Sequence, residues 1–258
     1  MSAPLGRLKH WIRRTLRRLG LEVEYVGRRA SVRPAAPTDA PVAPYLENPE
    51  QGPGNLAEKL QREAEGGPFE WPNVVALNRA VAGLVGDAKR LVELGGGTGC
   101  FAIVAARDET RTIVCSELDV ETSRWAAEHR ARANVTYVDR APTADDGPFD
   151  LVVAVEVIEH VADFVGFLRT CCSLAPRALI TTPNRTRGPK FDVPGPPPVA
   201  KHVREWTAGE FYWVLRTFYR TVKLYAMPNP FVPELVGVRI TTKLTPLVAD
   251  CCEPRSLH

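Results

Sequence analysis

Val92-Glu93-Leu94-Gly95-Gly96-Gly97-Thr98-Gly99 is the stretch whose reading decides the architecture of this chain. It closes a short apolar run, Arg90–Leu94, and opens a segment of helical character, Phe101–Ala106. Glycines allow a sharp turn and let a ligand approach the backbone without Cβ atoms in the way. In an open α/β sheet such a loop is the first strand-to-helix turn, at the crevice where nucleotides bind. A P-loop would need Gly-Lys-Ser/Thr, and no lysine follows. A dinucleotide fingerprint starting at Gly95 would place its third glycine where Cys100 stands, which weakens a nicotinamide reading. The next apolar run ends in Ser116-Glu117-Leu118-Asp119. An acid about 20 residues past the glycines accepts hydrogen bonds from ribose hydroxyls. Glu117 is at the strand tip and fits that task, whereas Asp119 reads as the cap of the following helix.

Working outward, strand and helix patterns alternate. Pro72–Val85 reads as a helix with Val74, Val75, Leu77, Val81 and Leu84 as its buried stripe. Thr112–Ser116, Val135–Val138, Leu151–Val155 and Ala178–Thr182 read as strands, and Thr122–Arg132 and Ala162–Ser173 as the helices between them. Strands that are apolar on both faces and joined by helices imply a parallel sheet. A Pro-rich loop at 188–198 leads to a helix from Ala208 to Thr217, followed by strand candidates Thr221–Ala226 and Val236–Thr242. The expectation is an α/β, doubly wound, Rossmann-like and mostly parallel sheet of seven strands. The loop 185–200 is placed to act as a lid over the carboxyl edge of that sheet.

The pattern Glu93-x-Gly95-x-Gly97-x-Gly99 resembles the first motif of class I S-adenosylmethionine-dependent methyltransferases. Phe149-Asp150-Leu151 through Glu156-Val157-Ile158-Glu159-His160-Val161 resembles the fourth strand and post-strand motif of that family, in the Glu-x-x-Glu-His form of ubiquinone-biosynthesis-type O-methyltransferases. Thr182-Pro183-Asn184 and His202-Val203-Arg204-Glu205-Trp206-Thr207 match two further motifs of that branch. The resemblance spans roughly residues 70–245 and implies a methyltransferase domain over 56–258. It implies S-adenosylmethionine as cofactor, held by Glu93, Gly95, Gly96, Gly97, Glu117, Glu156 and Asp139, the last meeting the adenine amino group from the loop that also holds Asp145 and Asp146.

Glu156, Glu159 and His160 are spaced i, i+3 and i+4, so a helix starting at the strand tip would put all three on one face. With His202 they could hold Mg2+ or another divalent ion, an arrangement that small-RNA 3′-terminal 2′-O-methyltransferases resemble. Without a metal, His160 or His202 would be the general base that takes a hydroxyl proton. The expected acceptor is a hydroxyl on a small molecule or glycan. The alternatives are an RNA end, or a cofactor-binding subunit without chemistry. Fold does not give substrate.

The 258 residues allow one sizeable core plus an appendage. Lys and Arg total 33 against 30 acids, and a net charge of +3 does not by itself imply nucleic acid. Six cysteines, including the neighbouring pairs Cys171-Cys172 and Cys251-Cys252, form no zinc-ligand spacing and suggest reduced thiols in a cytoplasmic protein. No apolar run is long enough for a transmembrane helix. Residues 31–55 read as a Pro/Ala-rich linker, and residues 1–30 as a basic amphipathic segment. Within it, Leu5, Leu8, Ile12, Leu16 and Leu19 with Trp11 make an apolar stripe over 5–19, beside Arg7, Lys9, Arg13, Arg14, Arg17 and Arg18. That combination suits an anionic bilayer, at the inner face of the membrane, or an acidic partner. The full chain is expected to pellet with anionic vesicles at low salt and to be released as salt rises, at about 1 kcal/mol per basic residue near the surface. A chain starting at Asn55 is expected to stay in solution. Co-sedimentation checks this, and equal behaviour of the two chains rules it out.

Overall fold

A computed structural model describes residues 24–26, 29–31, 54–188, 197, 199 and 201–256. The chain divides into two units, Met1–Ala43 and Pro44–His258. The first contains an antiparallel strand pair, β1 (Glu24–Val26) with β2 (Arg29–Ser31), Tyr25 opposite Ala30. These strands fall where the sequence suggested the end of a helical segment and the start of a linker. The amphipathic stretch 5–19 and most of the linker lie outside the described residues.

The second unit is built on an eight-stranded mixed sheet. Its elements run α1 (Gly54–Ala64), α2 (Pro72–Gly83), β3 (Arg90–Leu94), α3 (Cys100–Ala105), β4 (Thr112–Ser116), α4 (Val120–His129) and β5 (Val135–Val138). Then follow β6 (Leu151–Ala154), α5 (Phe164–Leu174), β7 (Arg177–Thr182), α6 (Ala208–Phe218), β8 (Tyr219–Ala226), β9 (Val236–Gly237) and β10 (Leu247–Pro254). The strand order is β5-β4-β3-β6-β7-β10-β8-β9. The first five are parallel, and β10, β8 and β9 pair antiparallel. Central strands are aliphatic on both faces because helices cover both: all four residues of β6 are buried. Phe101, Leu91, Leu151 and Leu179 lie in the core between sheet and helices.

The connections leave β3 toward β4 and β5 on one side, while β6 and β7 lie on the other. The order therefore reverses between β3 and β6, and a doubly wound sheet opens its binding crevice at the carboxyl ends of the strands flanking such a point.

Two sequence expectations change. The sheet has eight strands rather than seven. Val236–Thr242 contributes only the two-residue edge β9, and the missing central strand is β10. β10 lies antiparallel between β7 and β8, with Leu247 opposite both Thr182 and Ala226. Its Asp250 and the Cys251-Cys252 pair gave it no strand signature. Asp250 is accommodated because Arg177 donates to it from Nε at 2.8 Å and from a terminal nitrogen at 3.1 Å. The remaining Arg177 donors close on the Leu84 and Val85 carbonyls at 2.6 and 2.9 Å, tying the end of α2 to the sheet.

The second change concerns the Glu-x-x-Glu-His run. No α-helix starts at the tip of β6. Glu156 takes a left-handed backbone, φ 56°, and a single 3-10 turn spans Ile158–His160. The glutamates and the histidine therefore do not share one helical face. A non-glycine residue in that region costs about 1–3 kcal/mol. Thr181 on β7 holds it in place: its hydroxyl accepts from the Glu156 amide at 2.8 Å and donates to the Glu156 carboxylate at 2.8 Å.

Among the described residues, no helix is long and apolar enough to cross a membrane.

Leu247 is fully buried on β10, whereas Ile240, in the stretch the periodicity marked as strand, is 42% exposed. Leu247→Ala is expected to destabilise the fold by about 2–5 kcal/mol, and Ile240→Ala by under about 0.5 kcal/mol. Urea unfolding of the two variants checks the placement of the strand.

Candidate active site

A cleft of about 610 Å³ opens at the carboxyl ends of β3 and β6. Its floor is the glycine loop, with Glu93, Gly95, Gly96, Gly97 and Thr98 in the wall beside Glu117 and Asp119 from the tip of β4. Val155, Glu156, Val157 and His160 line the side below β6, and Arg187 and Lys201 bound it from the segments after β7.

The loop is shaped by backbone demands. Gly95, Gly97 and Gly99 have φ of 63°, 52° and 76°, a region that favours glycine. A Cβ at Gly95 would run into Val157 at 2.8 Å, and one at Gly99 into the Tyr137 hydroxyl at 2.8 Å. A Cβ at Gly97 meets nothing within 4 Å, because that face of the loop looks into the open cleft. The Gly97 amide donates to Glu117 Oε2 at 2.7 Å, and the Asp119 amide to Glu117 Oε1 at 3.0 Å. Burial pushes the Glu117 carboxyl up against those two amide hydrogen bonds. Asp119 caps α4, accepting from the Thr122 amide at 2.7 Å, as its position suggested.

Glu93 is buried, and burial pushes its carboxyl up to about 8. Its Oε2 has no hydrogen-bond partner. Asp139, expected at the adenine end, is exposed and outside the cleft lining. The neighbouring acid is also occupied, since Asp146 makes a two-point contact with Arg140 at 2.6 and 2.8 Å.

Past the glycine loop, Glu159, His160 and His202 converge, each offering a ligand atom within 4.8 Å of the others. Glu156 does not belong to this group, because its carboxylate is engaged by Thr181. Burial pushes Glu156 up to about 7, against the Thr181 hydrogen bond and the Arg187 charge. Glu159 is fully buried, and neither carboxylate oxygen has a hydrogen-bond partner. Burial, and next the Glu156 carboxylate, raise its carboxyl well above the usual range. His160 Nδ1 lies 3.0 Å from the Lys201 carbonyl, and a carbonyl only accepts, so Nδ1 carries the proton and Nε2 the lone pair. Burial holds His160 below its ordinary pKa. His202 stands behind it, ring edge against ring face at 4.9 Å, and does not line the cleft.

Sequence reasoning missed a group contributed by α1 and the turn after it. Lys59 Nζ reaches Glu70 Oε1 at 3.0 Å and Thr98 Oγ1 at 2.8 Å, and Arg130 lies 4.0 Å from Glu70. This knot fastens the segment before β3 to the glycine loop and brings Glu58, Arg62 and Trp71 to the cleft wall. Their positions carry no motif. Arg187 was also missed; it lies three residues after the Thr-Pro-Asn stretch and carries no distinct signal.

A family model described as a methyltransferase domain matches residues 53–224. The chain belongs to that family, the class I S-adenosylmethionine-dependent methyltransferases. It is 42% identical over 111 residues to the ubiquinone biosynthesis O-methyltransferase of Caulobacter sp. (strain K31), covering 39% of this chain and 43% of that protein. The corresponding protein of Caulobacter vibrioides is 37% identical over 107 residues, covering 37% and 41%. The chain thus matches less than half the length of these relatives. Among solved structures, the methyltransferase domain of bacterial CtHen1-C superposes with a TM-score of 0.53 at 17% identity, covering 71% of this chain and all of that one. The plantazolicin methyltransferase BpumL, solved with S-adenosylhomocysteine, superposes with a TM-score of 0.54 at 12% identity, covering 81% and 91%. These likenesses are of fold.

Gly97→Val is expected to abolish S-adenosylhomocysteine binding, since a branched side chain would enter the open face of the loop. Glu117→Ala is expected to weaken it by about 1–3 kcal/mol. Titration calorimetry checks both, and wild-type affinity in Gly97→Val would move the cofactor elsewhere.

Proposed function

We propose that this chain methylates a hydroxyl oxygen on a small-molecule or glycan acceptor, with a phenol as the leading candidate, and that S-adenosylmethionine is the methyl donor. The observation that carries the reading is His160: an imidazole on the cleft wall whose Nδ1 is tied to the Lys201 carbonyl, leaving Nε2 as a proton acceptor. Burial keeps that ring neutral near pH 7, the form a general base needs. The O-methyltransferase names of the curated relatives support oxygen as the acceptor atom.

The residues present fit the cofactor. The open face at Gly97 admits a ligand against the backbone, and the unpartnered Glu93 Oε2 is a buried acceptor suited to a cationic or hydrogen-bonding group. Glu117 stands where ribose hydroxyls are bound in this fold. Bound S-adenosylmethionine supplies a methyl group already activated on its sulfonium. The protein therefore has to align the acceptor oxygen, exclude water and remove one proton. Val157 and Val161 give the acceptor end an apolar wall beside His160. Arg187 and Lys201 border that end of the cleft, while most of the loop 185–200, read from the sequence as a lid, lies outside the described residues.

A second reading is carried by Glu159, a buried carboxylate with no hydrogen-bond partner, facing two imidazoles. His202 Nδ1 is bound to Glu205, as His160 Nδ1 is to Lys201, so both rings carry their lone pairs on Nε2. Two such imidazoles and one carboxylate suit Zn2+, Mn2+ or Fe2+ better than Mg2+. An ion there would polarise the acceptor hydroxyl in place of a base.

His160→Ala is expected to lower turnover on a panel of catechol-type phenols by about 10²–10⁴-fold, with S-adenosylhomocysteine affinity within about twofold of wild type. Undiminished turnover sinks both readings. A chelator separates them: the base reading expects no effect, while the metal reading expects loss of activity and near-stoichiometric ion by elemental analysis.

A further inference from the structure

Arg187 and Glu205 form a buried pair that neither the motif reading nor the proton-transfer argument uses. The Glu205 side chain is fully buried. Its two oxygens receive the Arg187 guanidinium at 2.8 and 2.9 Å, and Oε1 also lies 2.7 Å from His202 Nδ1. Burial opposes the charge, but the hydrogen bonds from Arg187 and His202 hold the Glu205 carboxyl below its usual range. A carboxylate so engaged accepts only, so the proton between it and His202 must sit on Nδ1.

The surroundings give this tautomer a use. The Val203 and Arg204 amides both donate to the Glu159 carbonyl, at 2.9 and 3.1 Å, fastening the His202 segment to the 3-10 turn. On the far side, the Arg185 amide donates to the Trp206 carbonyl at 2.8 Å. Trp206 itself is fully buried under Arg204 and edge-on to Phe164. The backbone on both sides of Glu205 is thereby anchored, and among the described residues Glu205 is the side chain that hydrogen-bonds the His202 ring.

We infer that Glu205, locked by Arg187, is a positioning residue that holds His202 in the Nδ1–H tautomer with Nε2 directed at the Glu159–His160 group. This rests on the reading of that group as the chemical end of the cleft, but it applies whether the group works as a base or around an ion. A ring of the opposite tautomer would present N–H where a lone pair is needed, for accepting a hydrogen bond or for ligating. Arg187 makes the arrangement specific. In Glu205→Gln the guanidinium would keep the amide oxygen, turning the NH2 group toward His202 and forcing the proton to Nε2.

The test is ¹⁵N NMR of histidine side chains in the full chain, with His202 assigned by the loss of its signals in His202→Gln. Wild type is expected to show the Nδ1–H tautomer at His202, and Glu205→Gln the Nε2–H tautomer, with Glu205→Asp keeping the wild-type signature. Turnover of a phenolic acceptor found in the panel is expected to fall at least about tenfold in Glu205→Gln, with S-adenosylhomocysteine affinity within about twofold. A wild-type His202 already protonated on Nε2 overturns the inference, and that measurement needs no variant to fold. An unchanged tautomer in folded Glu205→Gln overturns it as well. If the tautomer switches while His160→Ala remains fully active, the positioning role stands and the proposed function falls.

Discussion

Parallel strands β3 and β6 lie side by side, and the chain leaves them in opposite directions across the sheet. The turns that follow them, the glycine loop and the Glu156–His160 segment, face each other over the gap between their carboxyl ends. The side chains around the gap follow from this arrangement: Glu117 is set by β4 beside β3, Thr181 by β7 beside β6, and Arg187 by the segment after β7. The antiparallel insertion of β10 between β7 and β8 completes the far half of the sheet. It also brings Thr245 and Pro246 back to the cleft wall.

Buried carboxylates dominate the electrostatics of the cleft. Glu93, Glu156 and Glu159 are all driven upward by burial, to about 8 for Glu93 and about 7 for Glu156. A fold built for stability alone would not gather them, since each loses hydration when ionised. Cations of the protein meet only part of the demand: Arg187 serves Glu205 and lowers Glu156, while Lys59 and Arg130 serve Glu70. Glu93, in the cleft wall, and Glu159, buried behind it, keep oxygens with no partner. Unsatisfied buried acceptors are uncommon in folded proteins, and each one calls for an explanation.

The segment before the sheet serves the same cleft. Lys59, Glu70 and Thr98 join α1, the turn after it and the glycine loop in one partly buried knot. Phe69 stacks on Trp125 at 4.6 Å, and the Arg62 guanidinium lies over Trp71 at 4.0 Å. The 54–71 segment therefore packs against α4 and the loop through aromatic and cationic contacts.

The sequence by itself determined the winding of the sheet and the position of its crevice. Arg90–Leu94 and Thr112–Ser116 could be bounded to the residue, because parallel strands buried on both faces are continuous apolar runs, closed by glycines in the first and by charged residues in the second. It also put Glu117 and His160 at strand tips that line the cleft, and Asp119 at the cap of α4, because these positions follow directly from where the strands end. The tertiary structure alone decided the rest. β10 is a strand because β7 and β8 leave a gap between them and Arg177 neutralises Asp250, neither of which is visible along the chain. Glu156 leaves the helical register because Thr181, 25 residues away, holds its backbone in a left-handed turn. Glu159, His160 and His202 become one group, and Glu205 becomes the partner of His202, only when the segment after β7 folds back onto the 3-10 turn. Local pattern records which face of an element is buried, whereas long-range hydrogen bonds to buried charges settle which side chains meet.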